Sequence, residues 1–170
     1  FSAEKAHSAL HWMAAQQPGI DLHTAMKACY FADRDHLNEH FRPIFGATYR
    51  AMKFGPVPLE IYERAKGEAI WLAELGVDAL PWRLEGYRLR LTGNEQVDLA
   101  PFSASDFSAL KKGFEQSVPM TFTERTKATH GKDWQTAELG VMRYEDMLDE
   151  SAEKPEVIRQ LQETARFLRL

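Results

Sequence analysis

The sequence predicts an α+β fold dominated by helix, with about seven or eight helices around a small antiparallel β-hairpin or three-stranded sheet. Three observations lead there. Apolar residues recur at spacings of three and four over most of the chain, as at Leu22, Ala25, Met26 and Cys29 or at Ile158, Leu161, Ala165 and Leu168, and that spacing lines one face of a helix. Alternation is confined to two short stretches, Ala47, Tyr49 and Ala51 and then Tyr87, Leu89 and Leu91, where side chains would point to opposite faces of a strand. The 170 residues, 44% hydrophobic and 27% charged, read as one domain over residues 1–170, long enough to bury a core without disulfides or metal.

The elements follow in order. Ser2 caps a first helix carrying Ala6, Ala9, Leu10, Trp12 and Met13 inward, and Pro18-Gly19 stops it. Asp21 caps a second helix by accepting a hydrogen bond from the free N–H groups of its first turn. That helix turns polar at Asp33, Arg34, Asp35 and His36 and is expected to end before Arg42-Pro43. Residues 47–53 form a short strand. Gly55-Pro56-Val57-Pro58 reads as a rigid turn into a helix over Ile61, Tyr62 and Ala65, with Pro58 in the first turn, where its missing N–H costs nothing. A helix from Glu68 to Leu75 closes on Gly76 as a left-handed cap. The strand around Leu89 turns at Gly93-Asn94 and returns through Val97 and Leu99, with residues 47–53 as a third strand. Ser103 and Asp106 have capping-box spacing, ahead of a helix presenting Phe107, Leu110 and Phe114. Short helices from Thr123 to His130-Gly131 and around Tyr144, Met147 and Leu148 precede a terminal amphipathic helix from Pro155.

Composition excludes several function classes. The net charge is −4, with Lys and Arg scattered, which opposes a nucleic-acid partner because phosphate recognition needs a concentrated positive field. Cys29 is the only cysteine, so there is neither an internal disulfide nor a thiolate zinc cluster, as in a reducing cytoplasm. No run of eighteen apolar residues crosses a membrane, and FSAEKAHS lacks a signal-peptide pattern. A cytoplasmic location follows as the expectation. No phosphate loop and no G-x-S-x-G nucleophile are present.

CYFADRDHL, FRPIFGATYRAMKFGPVP and EIYERAKG, followed by LRLTGNEQVDLAPFSASDFSALKKGFE and THGKDW, resemble in order and spacing the Panacea domain of SocA-like antitoxins. The resemblance implies a bacterial or phage antitoxin, not an enzyme, that neutralises a cognate protein toxin by direct binding without a cofactor. A related role implied by SocA-like members is that of a proteolytic adaptor presenting the toxin to a ClpXP-type protease, with a ClpX-type unfoldase as second partner. Within the distinctive region, Tyr49, Lys53, Phe54, Pro56, Val57 and Tyr62 are the candidate partner-binding residues, since aromatic anchors carry much of an interface's energy. Asp33, His36, His130 and Trp134 match polar positions of the family motifs and are expected to be structural, with Asp33 anchoring backbone or pairing with Arg50, Lys53 or His130.

His36-Leu37-Asn38-Glu39-His40 also matches the H-x-x-E-H string of inverted zinc peptidases. On a regular helix His36 and His40 share a face and hold a metal, with Glu39 as base, so a zinc-dependent hydrolase is the alternative from another class. Against it stand the missing third ligand, the expected end of the helix, and the resemblance itself, which matches only the position of His36. Glu145, Asp146, Asp149, Glu150, Glu153 and Glu156 concentrate negative charge that would steer a basic partner if left unpaired.

Overall fold

The computed structural model describes residues 1–167. In chain order these form α1 (Ala3–Gln16), α2 (Leu22–His40), β1 (Tyr49–Met52), β2 (Gly55–Pro58), α3 (Leu59–Lys66), α4 (Ala69–Leu75), β3 (Trp82–Glu85), β4 (Arg88–Leu91), α5 (Ala104–Ser117), α6 (Phe122–Ala128), α7 (Lys132–Thr136), α8 (Tyr144–Met147) and α9 (Lys154–Phe167). The fold is α+β and predominantly helical. Among the described residues there are nine helices, the one beyond expectation being α7, a five-residue turn too short to show an apolar period.

α2 is the central element. Asp21 caps it as its sequence dictates, accepting from the Thr24 amide at 2.9 Å and the Thr24 hydroxyl at 2.7 Å. Ala25, Met26, Ala28, Cys29 and Ala32 are buried along its length. It packs most closely on α5, because a Cβ added to Gly113 would lie 2.4 Å from the Ala28 carbonyl oxygen and 2.8 Å from the Ala32 nitrogen. Glycine there lets two helix backbones touch. The first turn of α5 carries the capping box read from Ser103 and Asp106, with both reciprocal hydrogen bonds formed.

α2 ends before Arg42-Pro43, as expected. It continues through its polar stretch to His40 and ends on Phe41 in the left-handed conformation, φ 57°. Asp33 is why a polar residue survives inside it. Its carboxylate, 0% exposed, accepts from the amides of Ile44 at 2.7 Å and Phe45 at 3.1 Å. The Tyr49 hydroxyl lies 3.0 Å from the same carboxylate and 3.2 Å from the Cys29 carbonyl. One buried side chain thereby ties the loop after α2 and strand β1 to the central helix. Of the two roles expected for Asp33, anchoring backbone is the one that forms, and Arg50, Lys53 and His130 are not its hydrogen-bond partners.

The strands differ from expectation in their partners. β1 pairs with β2, Met52 opposite Gly55 and Tyr49 opposite Pro58, and β3 pairs with β4 as a separate sheet. The first hairpin turns at Lys53-Phe54, so Gly55-Pro56-Val57-Pro58 is a strand and not a turn, with Pro58 as the N-cap of α3. The second turns at Gly86-Tyr87, where Gly86 takes φ 61°, and residues 97 and 99 form no returning strand. Tyr87, expected on the inner face, therefore sits on the tip at 77% exposure. Of the expected α9 stripe, Ile158 and Leu161 pack against the core, while Leu168 lies outside the described residues.

Candidate functional site

Three side chains position the β1–β2 hairpin by capturing its carbonyl oxygens. His23 and Lys27 stand one turn apart on α2, and Trp134 comes from α7. The His23 Nε2–H donates to the Phe54 carbonyl at 3.3 Å, the Lys27 ammonium to the Pro56 carbonyl at 2.7 Å, and the Trp134 indole N–H to the Met52 carbonyl at 2.9 Å. Gly55 is required at the centre of this arrangement. It takes φ +95°, and a Cβ there would come 2.4 Å from the Thr129 hydroxyl oxygen and 3.1 Å from Lys27 Cε.

Held this way, the hairpin and α2 enclose an apolar groove of about 580 Å³. Met26, Met52, Phe54, Val57, Tyr62 and Phe122 supply its walls, and Tyr87 stands at its edge. Phe54 and Phe122, each 47% exposed, meet edge to face with centroids 5.1 Å apart, and Phe122 stacks on His23 at 4.2 Å. Large apolar groups left this exposed around a concavity are uncommon on a surface that has nothing to bind.

The floor is cationic. Lys27 is 1% exposed, and the Pro56 carbonyl is its hydrogen-bond acceptor. Burial, and then the neighbouring Arg125 guanidinium, push its pKa down to about 7. His23 is held neutral, its pKa pushed down to about 4 by burial and next by Lys27. Arg125 is itself buried against the start of α2, where it donates to the Thr24 hydroxyl.

Of the residues singled out in the sequence, Lys53, Phe54, Val57 and Tyr62 line this groove together. Tyr49 and Pro56 do not. Both are buried, Tyr49 under its contact with Asp33, and they present no side-chain surface to a partner. His23, Met26, Lys27, Tyr87 and Phe122 line it too and are not among the candidates that the sequence offers. One signal for Lys27 is present, a lysine inside the stretch from Ala25 to Ala32, which is otherwise apolar.

Besides Asp33, the polar motif residues lie in two separate places. His130 stacks on Trp134, centroids 3.7 Å apart and planes within 6°, which steadies the indole that reaches Met52. His36 belongs elsewhere, with α5. Its Nδ1–H donates to the Arg42 carbonyl at 2.8 Å, which leaves Nε2 to accept from the Ser105 hydroxyl at 3.1 Å. Because α2 stays helical through His40, His36 and His40 do share a face, with ring centroids 4.5 Å apart. Both nitrogens of His36 are nevertheless engaged, Glu39 pairs with Lys112 at 3.1 Å, and the Arg42 guanidinium lies beside Asp106 at 2.9 Å, where it would repel a cation. Among the described residues no three His, Cys, Asp or Glu side chains gather as a metal site.

The acidic run after α7 is largely paired within the chain. Asp146 meets Arg143 at 2.9 Å, Asp149 meets Arg34, Glu150 meets Lys154 at 2.9 Å, and Glu156 meets Arg159. Little uncompensated charge is left there to steer a partner.

Comparison with known proteins agrees with the resemblance read from the motifs. A family model described as antitoxin SocA-like, Panacea domain, matches residues 26–135, more than half of the chain, from the middle of the first turns of α2 to α7. No curated protein and no solved structure matches. No described helix is long and apolar enough to cross a membrane.

Proposed function

Since this chain belongs to the SocA-like antitoxin family and carries its Panacea domain, we propose that it neutralises a cognate protein toxin by direct binding, and that the groove beside the β1–β2 hairpin is the surface that binds. One observation carries this reading: Met52, Phe54, Tyr87 and Phe122, large side chains left exposed, converge around a single apolar concavity on a rigidly braced hairpin. Such an arrangement suits a protein partner. It offers aromatic anchors at little cost in ordering, since the hairpin carbonyls are already fixed by His23, Lys27 and Trp134. The antitoxin family favours sequestration over turnover as the proposed action.

The experiment is co-expression with the neighbouring open reading frame in a bacterial host. The neighbour alone is expected to arrest growth, and this chain to restore it. Phe54→Asp, which places a charge on the groove wall at an exposed position, is expected to abolish rescue while leaving thermal unfolding unchanged. A harmless neighbour, or a toxic one that this chain does not rescue, contradicts the antitoxin reading. Rescue undiminished by Phe54→Asp moves the interface away from the groove.

A further inference from the structure

Lys27 is more than a brace. An ammonium has three N–H donors, and among the described residues Lys27 has one hydrogen-bond acceptor, the Pro56 carbonyl, and no carboxylate partner. The charged side chains around it include Arg125 from α6 and Lys53 at the hairpin tip, while His23 and His130 beside it are neutral. The acid nearby is Asp21, which is committed to capping α2 through Thr24. A chain of net charge −4 thus holds a patch of opposite sign at the floor of this apolar groove. Leaving an ammonium buried with most of its donors unused is costly, and a ligand carboxylate would supply the acceptors it lacks.

Resting on the reading of the groove as the toxin-binding surface, we propose that it takes a toxin segment in which an aspartate or glutamate sits beside a large apolar residue. The carboxylate docks on Lys27 Nζ, and the apolar side chain fills the space between Phe54, Tyr62 and Phe122. The walls exclude water from the ion pair, which strengthens it relative to the same pair on an open surface. They also discriminate: an apolar group alone leaves the ammonium unpaired, and an anion alone leaves the walls wet.

The test uses the full chain and two small probes of equal length, 3-phenylpropionate and its neutral amide, 3-phenylpropanamide. Dissociation constants are read from the amide resonances of Lys27, Gly55 and Phe122. The acid is expected to bind at least about tenfold more tightly than the amide, as a charge-assisted contact in a dry site requires. In Lys27→Met the ratio of the two affinities is expected to shrink to within about twofold. Calorimetry near pH 8 in two buffers of different ionisation heat adds an independent readout. Lys27, held near 7, takes up a proton when the carboxylate arrives, whereas His23 and His130, both lowered by burial, stay neutral and Asp21, with its pKa below the ordinary carboxylate value, stays ionised. Proton uptake with the acid and none with the amide is the expected result.

Equal binding of the two probes by the wild-type chain overturns the proposal, and this comparison needs no variant to fold. So does an acid preference that survives Lys27→Met, or no binding of the acid at about 50 mM, a concentration at which even a weak site fills. These outcomes separate from the reading beneath them. Loss of toxin rescue in Phe54→Asp without an acid preference leaves the groove as the interface and removes only the carboxylate. Rescue unaffected by Phe54→Asp removes the groove itself.

Discussion

Asp33 and Asp106 are both buried carboxylates, and they answer pH in opposite directions. Burial pushes the Asp33 carboxyl up to about 6 from an ordinary 3.8, the amides of Phe45 and Ile44 offsetting only part of that cost. Its folded value is the higher one, so ionising it weighs against the fold as pH rises from about 4 to about 6. Asp106 also feels burial, but Lys5 at 2.8 Å and the Ser103 amide and hydroxyl outweigh it and hold its carboxyl below the usual range. Stability from Asp106 is therefore present at neutral pH and lost on acidification below about 4. Urea unfolding of Asp33→Asn is expected to show a smaller loss relative to wild type at pH 7 than at pH 4.5, and Asp106→Asn a larger loss at pH 7 than at pH 3. Parallel pH trends in the two variants would contradict this assignment. Asp33→Ala, which orphans two backbone amides, is expected to cost about 3 kcal/mol at pH 4.5 and less at pH 7.

At the scale of elements, the contact between α2 and α5 and the bracing of the hairpin decide where the groove lies. Alanine in place of an interior helical glycine ordinarily gains up to about 1 kcal/mol. At Gly113 the added Cβ would meet the backbone of Ala28 and Ala32, which has no rotamer through which to yield. Gly113→Ala is accordingly expected to destabilise by about 2 kcal/mol or more, read by thermal or urea unfolding, and a gain in stability would show that the helices are free to separate. Trp134→Phe keeps the stack on His130 but removes the N–H that holds the Met52 carbonyl. It should cost about 1 kcal/mol and speed amide hydrogen exchange selectively over residues 49–58. Unchanged exchange there would mean that Trp134 does not brace the hairpin.

Across the whole molecule, what the sequence reveals is what short-range chemistry decides. The Asp21 cap, the Ser103–Asp106 capping box and the Gly76 cap join residues a few positions apart, and each was readable from side-chain type and spacing. The groove joins α2 to a hairpin about thirty residues on, to Tyr87 and to Phe122, and Trp134 reaches Met52 across 82 positions. No local pattern encodes such meetings. Gly93-Asn94 shows the same limit in the sheet: a strong turn dipeptide was overridden because Trp82 to Glu85 already pair with Arg88 to Leu91 around Gly86. Family likeness, carried by motifs that lie on α2, the hairpin and α3, singles out the stretch that contains the groove, and burial divides it into Phe54, Val57 and Tyr62 on the groove and Tyr49 and Pro56 beneath it.

The most direct measurement is the affinity of the purified chain for the toxin it rescues, by calorimetry, for wild type, Phe54→Asp and Phe122→Asp. Both variants change exposed positions on the groove wall, so their melting temperatures should match wild type, while a charge set into an apolar anchor pocket should weaken the complex by about a hundredfold or more. Wild-type affinity in both variants would place the toxin on another face of the molecule.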